Sequence, residues 1–191
     1  MTKIAIIGGG ASGLACAIEI MRTVKNKDDV KVTILERLPR VGKKILVTGN
    51  GRCNITNVNA SVENYRGDAY FTECALDKYS PQNNIEFFNS LGLYTRTEDE
   101  GRVYPLSNQA SSVLDALRFE CARLGVEIIC DYRAVHLKTV YTGVATKIIV
   151  NNRDRFDYVV VACGGMACKA HGTDGDAYDL LKMFGHKIVS P

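Results

Sequence analysis

The chain has 191 residues, 46% of them hydrophobic and 24% charged, with 24 Lys and Arg against 21 Asp and Glu. That is an ordinary globular balance, long enough for one sizeable domain with its own core. The net charge of +3 is too mild to imply nucleic acid or a membrane surface by itself, and no apolar run approaches the roughly 20 residues that span a bilayer.

Residues 3–7, KIAII, suit a short parallel strand buried on both faces. The chain opens directly into it, so no signal peptide is expected. Glycines follow, and then Leu14, Ala17, Ile18 and Met21 line one face of a helix. Residues 30–36, VKVTILE, are a second strand. A βαβ unit results, with its two strands parallel. Residues 81–92 predict a short helix ending at Gly92, and 93–107 a hairpin with an acidic tip. Residues 111–125 predict a helix that buries Leu114, Leu117, Cys121 and Leu124. Ser112 and Asp115 resemble its capping box, and Gly125 suits its C′ position. Residues 126–130 should be the third parallel strand.

The next segments, 133–140, 143–151 and 155–165, are joined by gaps too short for helices. They predict an antiparallel meander with a turn at Thr142–Gly143, leading into a buried strand at 158–162. Residues 173–185 predict a last helix with Thr173 as N-cap, Ala177, Leu180, Leu181 and Phe184 facing inward, and Gly185 as its stop. HKIVSP, residues 186–191, reads as the beginning of another strand.

The seven cysteines include no CxxC pair, and Cys16, Cys121 and Cys163 sit inside apolar patterns. This points to reduced thiols and a cytoplasmic location, with no disulfide framework and no metal site. His136, His171 and His186 show no ligand spacing and suit surface or structural roles.

Gly8, Gly10 and Gly13 have G-x-G-x-x-G spacing between a strand and a helix, the setting of a dinucleotide-binding turn. Gly8 permits the tight turn, Gly10 lets a pyrophosphate approach the backbone, and Gly13 lets the helix pack against the strand. The helix N-terminus offers unpaired N–H groups to the anion. Glu36, which follows Gly13 by 23 residues, is placed to accept hydrogen bonds from the adenosine ribose. Arg37 leaves the ligand open: it can meet the 2′-phosphate of NADP or stack beside adenine. The meander and the second glycine-rich strand end, VVVACGG, favour FAD.

Residues 41–57, VGKKILVTGNGRCNITN, contain no acid. They leave the second strand at its carboxyl end, where α/β sheets bind ligands. Lys43, Lys44 and Arg52 can bond a pyrophosphate or an anionic reduced flavin. Gly49 and Gly51 can lie against a flat ring, and Asn54, Thr56 and Asn57 add neutral hydrogen bonds.

IIGGGASGLACAI, LERLPRVGKKILVTGNGRCNITN, GRVYPLSNQASSVLDAL and VVVACGG together resemble the BaiN/YhiN-like flavoproteins, the aminoacetone oxidase-like group. The resemblance implies a Rossmann-like FAD-binding domain of α/β class, with a central parallel sheet, helices and an antiparallel β-meander crossover. It implies FAD near Gly8, Gly10, Ser12, Gly13, Glu36, Arg37, Lys44, Gly51 and Asn54. It also implies a backbone contact to adenine at Val135 and contacts at Ala162 and Gly164. Ala11, Lys43, Arg52, Cys53 and Gly165, beside these, complete the candidate set. Residues 1–191 then form one FAD-binding domain ahead of an inserted substrate domain, which in the family follows near residue 190.

The implied activity is flavin-dependent redox chemistry on a small organic substrate, with hydride moving to or from flavin N5 and NAD(P)H as a candidate external donor. Arg52 is a candidate partner of the reduced ring. Cys53 lacks a second cysteine and reads as structural, and Cys163 with Cys168 as a redox pair is the lesser alternative. Tyr104–Pro105 suits either the edge of a substrate pocket or hairpin packing. No catalytic residue is assigned. Two rival readings remain: an RNA-modifying or RNA-binding flavoprotein module, against which the low charge speaks, and a nicotinamide-only dehydrogenase domain.

Overall fold

The computed structural model describes residues 1–166 and 168–189. In chain order its regular elements are β1 (Thr2–Ile7), α1 (Ala11–Thr23), β2 (Val30–Leu35), β3 (Thr56–Asn57), α2 (Glu73–Lys78), α3 (Pro81–Ser90), β4 (Thr95–Thr97), β5 (Arg102–Pro105), α4 (Ala110–Arg123), β6 (Glu127–Ile129), β7 (Leu137–Tyr141), β8 (Thr146–Val150), β9 (Asp154–Phe156), β10 (Tyr158–Val161) and α5 (Asp176–Lys182). The chain divides into two compact units, Met1–Lys44 with Leu117–Pro191, and Ile45–Ala116.

The first unit is built on a four-stranded sheet in the order β10-β1-β2-β6, and all its pairings are parallel. This is the Rossmann-like arrangement. β1 and β2 are central, which is why their apolar runs are continuous: Ala5, Ile6, Ile7 and Val32 to Leu35 are all buried. The β7-β8-β9 meander is antiparallel. With α5 and the preceding Tyr132 it supplies Leu137, Val150, Phe156 and Leu180 to the cluster around Ala5, Ile7 and Leu35. Ile6 points the opposite way, towards α1, as the two-residue strand period requires.

The C-terminal half of α4 buries Leu117 and Cys121, and the Cys121 thiol donates to Leu14 O on α1 at 3.8 Å. The helix ends as expected. Gly125 adopts φ +75°, while its N–H and that of Val126 return to Ala122 O and Cys121 O at 3.1 and 2.9 Å.

Five details differ from the sequence-based expectation. Strand 158–162 is half-exposed because β10 lies at the edge of its sheet. Ser112 is inside α4, which starts at Ala110, so it cannot be the cap. Thr173 is buried; its hydroxyl donates to Cys168 O and accepts from Cys168 N, each at 2.9 Å. Gly175, at φ +96°, takes the N-cap position of α5 instead. Phe184 is exposed, because the helix has already ended at Lys182. Finally, 186–189 form no strand; the remainder of that expectation, 190–191, lies outside the described residues.

Glu120 clamps the helices of this unit. It accepts from Arg22 of α1 at 2.8 Å and from Arg123 at 2.6 Å. Arg123 and then Arg22 pull its carboxyl down to about 2 from an ordinary 4.5, against the opposing effect of burial. The folded value lies below the unfolded one. The stabilisation is therefore complete above pH 4.5 and is lost as the pH falls towards 2. Glu120→Gln should lower stability at neutral pH by roughly 1–2 kcal/mol and flatten its dependence on pH in the acid range. Urea midpoints measured across that range test both effects.

The second unit holds the antiparallel sheet β3-β5-β4. β4 and β5 form the expected hairpin, with Asp99, Glu100 and Gly101 at its tip. β3, part of the acid-free loop, pairs with β5 through Thr56 and Asn57. That pairing is not legible from so short a run. α3 begins with Ser80 accepting from Asn83 N and Pro81 in its first turn, and Gly92 at φ +78° follows its end.

Candidate functional site

The parallel strands progress from β1 to β2 to β6 on one side, while β10 returns on the other. The carboxyl ends of β1 and β10 thus flank a topological switch point, where open α/β sheets bind ligands. The glycine turn stands there. Gly8 has φ +109°, and a Cβ on it would lie 2.5 Å from Ala162 O at the end of β10. A Cβ on Gly13 would lie 1.9 Å from Gly8 O. These two glycines answer to internal packing.

Gly10 is different: nothing lies within 4 Å of a Cβ placed on it. It is the N-cap of α1, no side chain caps the helix, and its first turn carries no acid. Ala11 and Ser12 are exposed beside it. The helix therefore presents open backbone N–H groups and the positive end of its dipole.

Glu36 is buried at the end of β2. Its Oε2 accepts from Gly9 N at 2.7 Å and its Oε1 from Leu38 N at 2.8 Å. The carboxylate thus ties the glycine turn to the neighbouring strand. Gly42 N donates to Gly9 O at 2.8 Å, and Val41 packs against Gly9. The exposed Lys43 and Lys44 follow directly, so two cations leave from the floor of the turn.

Arg37 is not free. Its Nη1 donates to Asp174 Oδ2 at 2.6 Å and to Asp176 Oδ2 at 2.9 Å. Arg133 donates to both oxygens of Asp176 at 2.9 and 3.0 Å. Tyr132 N donates to Glu36 O at 2.9 Å, bringing the start of the meander segment beside the end of β2. Val135 is exposed in that segment, but its N–H already donates to Asn151 Oδ1 at 2.9 Å.

Beyond β10, a Cβ on Gly164 would meet Thr173 Cγ2 and one on Gly165 would meet Tyr178 OH, each at 3.0 Å. Both glycines are accounted for by packing on that side. Cys163 donates to Ile7 O at 3.4 Å, and burial pushes its thiol up to about 11. Cys168 Sγ instead lies 2.9 Å from His171 Nδ1. The two thiols face different partners, and both are free. Among the described residues, no group of three or more His, Cys, Asp or Glu side chains is placed to hold a metal.

Gly51, Arg52, Cys53 and Asn54 belong to the second unit. Gly49, Asn50, Gly51 and Cys53 all have positive φ, which folds the loop tightly. Gly49 is enclosed, with Asn54 N 2.8 Å from a Cβ, whereas Gly51 is open, its nearest neighbour at 3.9 Å. Arg52 stacks over the Tyr104 ring at 3.8 Å. It donates to Glu98 at 2.5 Å and to Asn108 Oδ1 at 2.7 Å. Glu98, also bonded by Arg96, is held below the usual carboxylate range, mainly by Arg52. Tyr104 is buried and serves as hairpin packing and as a platform for Arg52. Burial raises the Cys53 thiol, so this cysteine is not an activated nucleophile.

Sequence reasoning missed Asp174, Asp176, Arg133, Glu98 and Asn108. Two acids at a helix start already have an ordinary explanation in the helix dipole. Their pairing with Arg37, 137 and 139 positions away, leaves no local signal.

Residues 2–191 match the HI0933-like protein Rossmann domain family, and the chain belongs to it. The 3-dehydro-bile acid delta(4,6)-reductase of Clostridium scindens is 42% identical over 98% of this chain and 45% of its own length. A ribosomal RNA dihydrouridine synthase of Haemophilus influenzae is 25% identical over 97% of this chain and 46% of its own. The chain thus spans a little under half the length of these curated relatives. Among solved structures, THI4 of Thermovibrio ammonificans superposes with a TM-score of 0.59 at 18% identity, covering 97% of this chain and 64% of that one; this is a likeness of fold.

Proposed function

We propose that this member of the HI0933-like family is the FAD-binding part of a flavin-dependent reductase, acting on a small organic molecule with a C=C bond conjugated to a carbonyl. The observation that carries the reading is the open, uncapped α1 N-terminus at Gly10, set at the switch point beside the Glu36 carboxylate. The fit to a dinucleotide follows from residues already in place. The N–H groups of Ala11 and Ser12 would hold the pyrophosphate, with Lys43 and Lys44 adding charge. Glu36 keeps lone pairs for the ribose hydroxyls while it holds Gly9. Because Asn151 occupies the Val135 N–H, adenine would be met by the Val135 carbonyl.

When bound, FAD supplies hydride transfer at N5; NAD(P)H is the proposed external donor and the cytoplasm the proposed location. No described helix is long and apolar enough to cross a membrane. Identity of 42% to a bile-acid reductase supports the small-molecule substrate. A second reading, reduction of a pyrimidine in RNA, is supported by the dihydrouridine synthase relative. The reducible bond has the same character, a C=C next to a carbonyl.

Denaturing the purified full chain should release FAD, identified by chromatography. The refolded holoprotein should oxidise NAD(P)H in the presence of a conjugated steroid ketone. A protein that neither carries FAD nor takes it up would sink the proposal. Loss of dihydrouridine from rRNA on deletion of the gene, with no turnover of the ketone, would select the second reading.

A further inference from the structure

We propose that Asp174 and Asp176 make the adenosine end of this site selective against a 2′-phosphate, so that FAD is accepted there and an NADP-type nucleotide is refused. The inference rests on the adenosine reading above and adds the specificity of that site. Arg37, directly after the ribose-side Glu36, is a residue of the β2 end whose charge suits a 2′-phosphate. Its guanidinium is already bonded to Asp174 at 2.6 Å and Asp176 at 2.9 Å. Arg133, the other cation of the cluster, is taken by both oxygens of Asp176. Two guanidiniums are therefore matched by two carboxylates.

A 2′-phosphate would bring further negative charge to a cluster whose cations are already neutralised, and it would have to displace charge-assisted bonds to gain any. A free 2′-hydroxyl carries no such cost and can donate to Glu36. It follows that an NADPH donor does not compete with FAD for this site and approaches the flavin by another route.

The test uses the full chain stripped of its cofactor, with FAD rebinding followed by flavin fluorescence. The competitors are ADP and adenosine 2′-phosphate 5′-diphosphate. ADP should compete at least about tenfold better than its 2′-phosphorylated form, equivalent to ~1.4 kcal/mol. In Asp174→Asn/Asp176→Asn, with folding checked by circular dichroism, the preference should narrow to within about threefold. Equal competition in the wild type would overturn the inference, as would an unchanged preference in the folded variant. The wild-type comparison stands even if the variant does not fold. Failure of ADP itself to displace FAD would overturn the adenosine site, and this inference with it, and so is distinct from a mere loss of selectivity.

Discussion

Gly13→Ala should cost the first unit about 3 kcal/mol or more and abolish cofactor uptake with it. The added Cβ would lie 1.9 Å from Gly8 O and 3.4 Å from Ile6 Cγ2. The first neighbour is backbone, in a turn whose N–H is itself bonded to Leu35 O at 2.9 Å, so no side chain can rotate to make room. α1 would have to lift from β1, opening the interface that buries Leu14, Ala17 and Ile18. Gly10→Ala is the internal control. Its Cβ meets nothing, and its backbone, at φ −81°, suits any residue. Its stability in urea should stay within about 0.5 kcal/mol of the parent, while affinity for FAD should fall by roughly tenfold or more, because the methyl would stand where the proposed site brings the pyrophosphate closest. A Gly10→Ala protein with unchanged affinity would remove the turn from the binding site.

Glu36→Ala should weaken FAD binding by about one to two orders of magnitude and destabilise the fold by roughly 2–4 kcal/mol. Both carboxylate oxygens accept backbone N–H groups in a buried setting, and their removal leaves the Gly9 and Leu38 donors unpaired. Glu36→Gln separates the two roles. The amide keeps one acceptor oxygen but turns a donor towards the other N–H, so the turn loosens while shape and volume persist. Affinity measured by FAD titration should fall in both variants, with glutamine intermediate. Equal affinities in all three proteins would count against any ligand role for this position.

The first unit was legible because its signals are local. KIAII, the glycine spacing and the stripe at Leu14, Ala17, Ile18 and Met21 each lie within one element, and each element formed where expected. The meander was legible from gaps too short for helices. What failed depended on neighbours. Strand 158–162 reads as doubly buried, yet its place at the sheet edge leaves Tyr158 63% exposed. Thr173 has the chemistry of an N-cap, but a buried bond to Cys168 claims its hydroxyl. The acid-free loop offers Arg52 as a cation for a ligand, yet Arg52 finds Glu98 from the hairpin. Arg37 was ambiguous for the same reason: its charge is visible in the sequence, but the acids that neutralise it are visible only in the fold.

The pairing of Ile7 with Val161 sets a schedule for biosynthesis. β1 leaves the ribosome first but acquires β10 only after about 150 further residues, a delay of roughly 8–30 s at ~5–20 residues per second. Until then the nascent chain exposes one unpaired flank of a strand that ends up buried, a hazard for misassembly. The wall that Ala162 gives to Gly8 is also missing during this interval. Capture of a ligand at this turn therefore waits until β10 has been made and has docked.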